Sequence, residues 1–150
     1  MAQLRRLHLQ TEIKCSPDKL FDVYKNKISL LANISPDKLR SIEVLEGDGK
    51  TVGSIRLWTY VLGDSVVAKD RIDAIDEENK SITFDIIGGE VTKYFKSYKA
   101  TIQLFKEGNK NMVKWSVEYE KMNDQVPDPT AQVEFLVGMA REVDAYLVIN

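Results

Sequence analysis

Histidine and cysteine occur once each in this chain of 150 residues, as His8 and Cys15. A single cysteine excludes an internal disulfide and a cysteine-built metal cluster within one chain. The single histidine lies among polar residues of an alternating segment, out of place for a Ser–His–Asp arrangement and too few for a histidine-based metal site. An excess of one charge is missing too: 21 basic and 23 acidic side chains leave a net charge of −2. That excludes the strongly basic face of a dedicated nucleic-acid binder, and no like-charge block forms a tail or arm. No apolar run approaches the roughly 18 residues that cross a bilayer. The first nine residues carry Arg5 and Arg6 where a signal peptide needs an apolar centre. The cytosol is the expected location, and the triplets Asn33-Ile34-Ser35 and Asn79-Lys80-Ser81 carry no weight as glycosylation acceptors.

What is present is the composition of a globular protein, 43% hydrophobic and 29% charged, with a length that fits one domain over residues 1–150. Residues 4–14 alternate: Leu7, Leu9, Thr11 and Ile13 share one parity, Arg6, His8, Gln10, Glu12 and Lys14 the other. That is a half-buried strand. Ser16-Pro17-Asp18 opens a helix, with a capping hydroxyl, a proline where no amide is needed and an acid at the positive end of the dipole. Asn26-Lys27 breaks its apolar face, so two short helices are expected before residue 35. Ser35-Pro36-Asp37-Lys38-Leu39 repeats the wording of residues 16–20, but strand-like alternation follows it, so no repeat is inferred.

Five more strands follow at 53–62, 66–75, 81–87, 94–105 and 112–121, separated by the turns Gly63-Asp64, Asp76 to Asn79, Gly88-Gly89 and Gly108-Asn109. Asp128-Pro129 opens a last helix, in which Val133, Leu136, Val137, Ala140, Val143 and Leu147 recur at helical steps. Phe135, Met139 and Tyr146 widen that apolar arc, and Gly138 interrupts it. Strands joined by tight turns and closed by a terminal helix define an α+β chain, a seven-stranded antiparallel sheet curved around one long helix.

Gly49-Lys50-Thr51 has the ending of a phosphate-binding loop. The required earlier glycine is replaced by Val44, and a strand follows where a helix should hold the phosphate, so this segment reads as a turn. More informative is the strand after it. Ile55, Leu57 and Val61 face one way; Arg56, Trp58, Tyr60 and Leu62 face the other, either as a thick core or as a wall whose polar tips orient a bound molecule.

Several blocks in order resemble the major latex proteins of the Bet v I superfamily, which also holds the birch pollen allergen and pathogenesis-related proteins. They are Gly53-Ser54-Ile55-Arg56-Leu57-Trp58-Thr59-Tyr60, Ala68-Lys69-Asp70-Arg71-Ile72, residues 74–84, residues 113–121 and Val126-Pro127-Asp128-Pro129-Thr130. The resemblance implies a helix-grip (START-like) fold with a large cavity between sheet and long helix. It implies carriage of an apolar or amphipathic small molecule and a role in plant defence or stress responses. The alternative it leaves open is an isomerase or condensing enzyme of specialised metabolism working in the same cavity. By position it assigns to the cavity Phe21, Arg56, Trp58, Tyr60, Asp70, Ile82, Phe84, Tyr98, Ala100, Ile102, Phe135 and Met139. No catalytic residue, metal or cofactor is carried over, and Lys114 stands on the wet parity of its strand. The expected partner is the apolar ligand, without nucleic acid or integral membrane association, in a monomer, with a dimer as the alternative. Arg56 or a tyrosine hydroxyl is expected to fix the polar end of the guest. Access is expected between the Gly63-Asp64 turn, a flexible Gly88-Gly89 loop and the start of the last helix.

Overall fold

The computed structural model describes residues 3–149; residues 1, 2 and 150 of the expected span lie outside the described residues. The order is β1 (Leu4–Ile13), α1 (Pro17–Asn26), α2 (Leu30–Ile34), β2 (Leu39–Glu46), β3 (Ile55–Leu62), β4 (Asp64–Asp76), β5 (Ser81–Gly89), β6 (Phe95–Glu107), β7 (Lys110–Lys121) and α3 (Thr130–Ile149). A 3₁₀ turn over Glu90–Lys93 joins β5 to β6. Its four residues are too few to show a period in the sequence.

Local chemistry explains the boundaries. Ser16 accepts the Lys19 amide through its side chain at 3.3 Å and so caps α1. The second Ser-Pro-Asp-Lys-Leu does different work: Ser35 closes α2, and the fully buried Leu39 opens β2. Neighbouring strands are antiparallel throughout, in the order β1-β7-β6-β5-β4-β3-β2. The first strand therefore pairs with the last, and β1 and β2 form the two edges. One face of the sheet is wet and carries the cross-strand pairs Arg71–Asp85 (2.9 Å) and Lys99–Asp73 (3.1 Å). Lys114 lies on that outer parity, over the Phe105 ring.

The other face meets α3. Val133, Val137, Ala140, Val143 and Leu147 form its buried stripe. Tyr146, expected to widen the stripe, is 40% exposed instead; the helix lies along β1 and β7 and buries a narrower band there. Asp144 shares the buried stripe, and its carboxylate accepts the amides of Lys14 (2.9 Å) and Cys15 (2.8 Å). This ties the last helix to the corner between β1 and α1. Burial, and after it the same carboxylate, push the Cys15 thiol up to about 12, which disfavours the thiolate at neutral pH. At Gly138 a side chain would meet only the end of Lys38, whose Cε lies 3.4 Å from the Cβ position.

Candidate ligand-binding site

Strand register sets the first element of the site. Arg56 on β3 stands directly opposite Asp70 on β4, and both point inward with 1% and 2% of their surface exposed. Their contact is bidentate, Nε to Oδ1 at 3.1 Å and Nη2 to Oδ2 at 2.8 Å. The guanidinium is also held between two ring faces, 5.1 Å from the centre of Trp58 and 5.2 Å from that of Phe84. Burial raises the Asp70 carboxyl above its ordinary range, and the Arg56 charge pulls it back only in part.

Aromatic side chains build outward from this pair. Trp58 stacks on Tyr60 (5.6 Å, 11°), and Tyr60 meets Phe135 of α3 edge-on (5.6 Å, 78°), so one ladder of rings reaches from sheet to helix. Tyr24 of α1 stands edge-on to Trp115 of β7, 6.0 Å away. Between these groups lies a cavity of about 100 Å³. Trp58, Asp70, Phe84, Tyr98 and Ala100 line it from the sheet, and Phe135 and Met139 from the helix. Tyr24 and Leu31 close it from the short helices. Toward solvent its lining loosens: Leu62 is 42% exposed, and Val66, Val91 and Gln132 are half-buried.

The wall is apolar but holds polar atoms that nothing satisfies. The Tyr24 hydroxyl and the Trp58 and Trp115 indole nitrogens are buried without a hydrogen-bond partner among the described residues. Trp58 Nε1 still bears on Asp70 electrostatically, at a geometry short of a hydrogen bond. An unmet buried donor is unfavourable by about 1–3 kcal/mol, and the Tyr24 and Trp115 side chains that carry two of them belong to the cavity wall. Burial, together with the Asp70 charge, holds the Tyr60 hydroxyl well above its ordinary range, so the phenols here stay neutral.

Eight of the twelve residues expected at the cavity line it: Trp58, Tyr60, Asp70, Phe84, Tyr98, Ala100, Phe135 and Met139. Four do not. Arg56 lies behind Asp70, its charge committed to that carboxylate and to two ring faces. Ile82 and Ile102 form the next cross-strand rung beyond Phe84 and Ala100, on the side that the Phe84 and Trp115 rings close off. Phe21 is buried in the core on α1, which packs on β6. The large cavity is corrected as well: about 100 Å³ falls below the roughly 300–1,000 Å³ that enclose a drug-sized ligand. Tyr24 and Trp115 were not singled out, although both sit on apolar parities of their elements.

The flexible glycine loop is also corrected. Gly88 and Gly89 belong to β5 and pair with Lys69 and Ala68. A Cβ on Gly89 (φ +98°) would stand 2.1 Å from the Val67 carbonyl oxygen, so close approach of two strands is what demands glycine here. In the other glycine segment, Asp48 Oδ1 accepts from the amides of Lys50 (2.8 Å) and Thr51 (2.9 Å) and from both nearby hydroxyls. A carboxylate of the chain itself fills the place where a phosphate would sit. Among the described residues no group of three or more His, Cys, Asp or Glu side chains is gathered for a metal, and no helix is long and apolar enough to cross a membrane.

This is a helix-grip architecture with an apolar, aromatic-walled cavity, and comparison with known proteins gives the family. The profile of the pathogenesis-related protein Bet v 1 family matches residues 2–150, and the chain belongs to that family. It is similar to MLP-like protein 423 of Arabidopsis thaliana, 38% identical over 144 residues that cover 95% of this chain and 93% of the relative. Against MLP-like protein 34 of the same plant it is 38% identical but spans 46% of that longer chain. The crystal structure of ginseng major latex-like protein 151 from Panax ginseng superposes with a TM-score of 0.92 at 35% identity, covering 95% of this chain and 97% of that one. Norcoclaurine synthase from Thalictrum flavum shares the fold at a TM-score of 0.82 and 23% identity, over 99% of this chain and 89% of that one.

Proposed function

We propose that this protein binds and carries small apolar or amphipathic molecules in the cavity between the sheet and α3, as a cytoplasmic carrier in plant defence or stress responses. One observation supports this reading above the rest. The interior is left unfilled where aromatic rings from β3, β5, β6, β7, α1 and α3 converge. Cores close such gaps where they can.

The volume limits the guest. About 100 Å³ is on the scale of the ~150 Å³ that lets an engineered apolar cavity hold benzene. A one-ring guest losing roughly 200 Å² of apolar surface gains about 5 kcal/mol. Ordering losses leave a dissociation constant on the order of a millimolar. Sterols or flavonoids require Phe135 and Tyr60 to swing off the ladder first, which makes their association slower than that of one-ring guests.

Isothermal titration with toluene tests the reading. Native protein should bind it, and Ala100→Phe, which places a ring in the cavity, should not while keeping the native circular dichroism. Equal binding by both proteins places the guest elsewhere.

A further inference from the structure

The sequence offered Arg56 or a tyrosine hydroxyl as the group that fixes a guest's polar end, and an arginine in that role would favour anions. The geometry reverses that polarity. Arg56 is absent from the cavity wall, whereas its ion-pair partner Asp70 is part of that wall. A carboxylate offers about four acceptor directions. Arg56 uses one on each oxygen, so Asp70, itself 2% exposed, keeps acceptor capacity beside the cavity. The ion pair as a whole is neutral, so a fully charged guest would lose its hydration with no counter-charge to meet it. Gln132 apart, the rest of the wall is apolar and aromatic, so Asp70 is the charged side chain among the lining residues.

We infer that the cavity selects neutral aromatic guests bearing a hydroxyl, such as simple phenols, over carboxylates, with Asp70 as the residue that sets the preference. The hydroxyl donates to Asp70, a bond that a hydrocarbon cannot make. An aromatic carboxylate at neutral pH brings only acceptor atoms and a negative charge toward Asp70. This inference rests on the proposed cavity binding.

The test is a calorimetric titration of the native protein at pH 7 with p-cresol, toluene and benzoate. p-Cresol should bind about tenfold more tightly than toluene, with benzoate the weakest of the three. Because removing Asp70 alone strands a buried Arg56, the control is the double variant Arg56→Met/Asp70→Leu, which removes both charges together. In that variant the advantage of p-cresol over toluene should shrink to less than about twofold. Equal affinity of p-cresol and toluene in native protein, or benzoate as the tightest guest, overturns the inference and leaves cavity binding standing. A p-cresol advantage that survives in the double variant removes Asp70 from it. Failure of all three probes to bind overturns the carrier reading itself.

Discussion

The two ends of the interior are built differently. Toward β1 and β7, α3 lies directly on the sheet: Val113 and Val143 are fully buried, and Asp144 is used up by the amides of Lys14 and Cys15. Toward β3, β4 and β5 the same helix stands off, and rings, an ion pair and a cavity occupy the gap. Each end carries a buried carboxylate. Asp144 meets backbone donors from the adjoining corner, whereas Asp70 meets the Arg56 guanidinium, has the Trp58 indole beside it and borders the cavity. The contrast separates a polar group that holds the fold from one that is left available.

The largest effect that sharpens this contrast comes from splitting the ion pair. Arg56→Met alone strands the Asp70 carboxylate and should lower stability by about 3–5 kcal/mol. Arg56→Met/Asp70→Leu should return to within roughly 1 kcal/mol of native protein in urea denaturation. A double variant as unstable as the single would show that the pair is structural cement like Asp144.

Next come side-chain truncations at each end. Leu104→Ala, in the packed region with 1% exposure, should lower stability by about 2–5 kcal/mol. Phe135→Ala borders space that already exists and should lower it by only about 1–2 kcal/mol, while opening the cavity to two-ring guests. Equal losses at both sites would break the comparison. At the closed end, Asp144→Ala removes charge-assisted bonds to two amides and should cost about 1.5–3 kcal/mol, with no change in the affinity for toluene.

The smallest effect lies outside both ends. The amides and hydroxyls around Asp48 hold its carboxyl at about 2, below the usual 3.8. A depressed carboxylate stabilises the fold above its unfolded pKa and loses that contribution as pH falls through the folded value. Asp48→Asn should therefore lower stability slightly at neutral pH, leave it nearly unchanged near pH 2, and so flatten the acid limb between about pH 4 and about pH 2. An identical acid limb would show that the loop bonds do not persist in solution.

Much of the frame was legible in the sequence because it depends on local chemistry. Alternation in β7, the Ser16 cap and the helical steps from Val133 to Leu147 each reflect a period or a turn that neighbouring residues define. The inward parity of Trp58 and Tyr60 was legible for the same reason. What failed was the content of the interior, which depends on pairs far apart in the chain. Nothing near Arg56 says that Asp70 lies opposite it, and nothing near Gly89 says that the Val67 carbonyl passes within van der Waals contact. The size of the cavity was lost likewise, since it is the remainder after Trp58, Tyr60 and Phe135, from two distant elements, have packed against each other.

Methyl NMR of native protein titrated with benzene is the most direct measurement of the central claim. Ring currents from a guest in the cavity should move the methyl signals of Ala68, Ala100 and Met139, while those of Val113 and Val143 at the closed end stay in place. Shifts spread evenly over both groups, or none at saturating benzene, would contradict it.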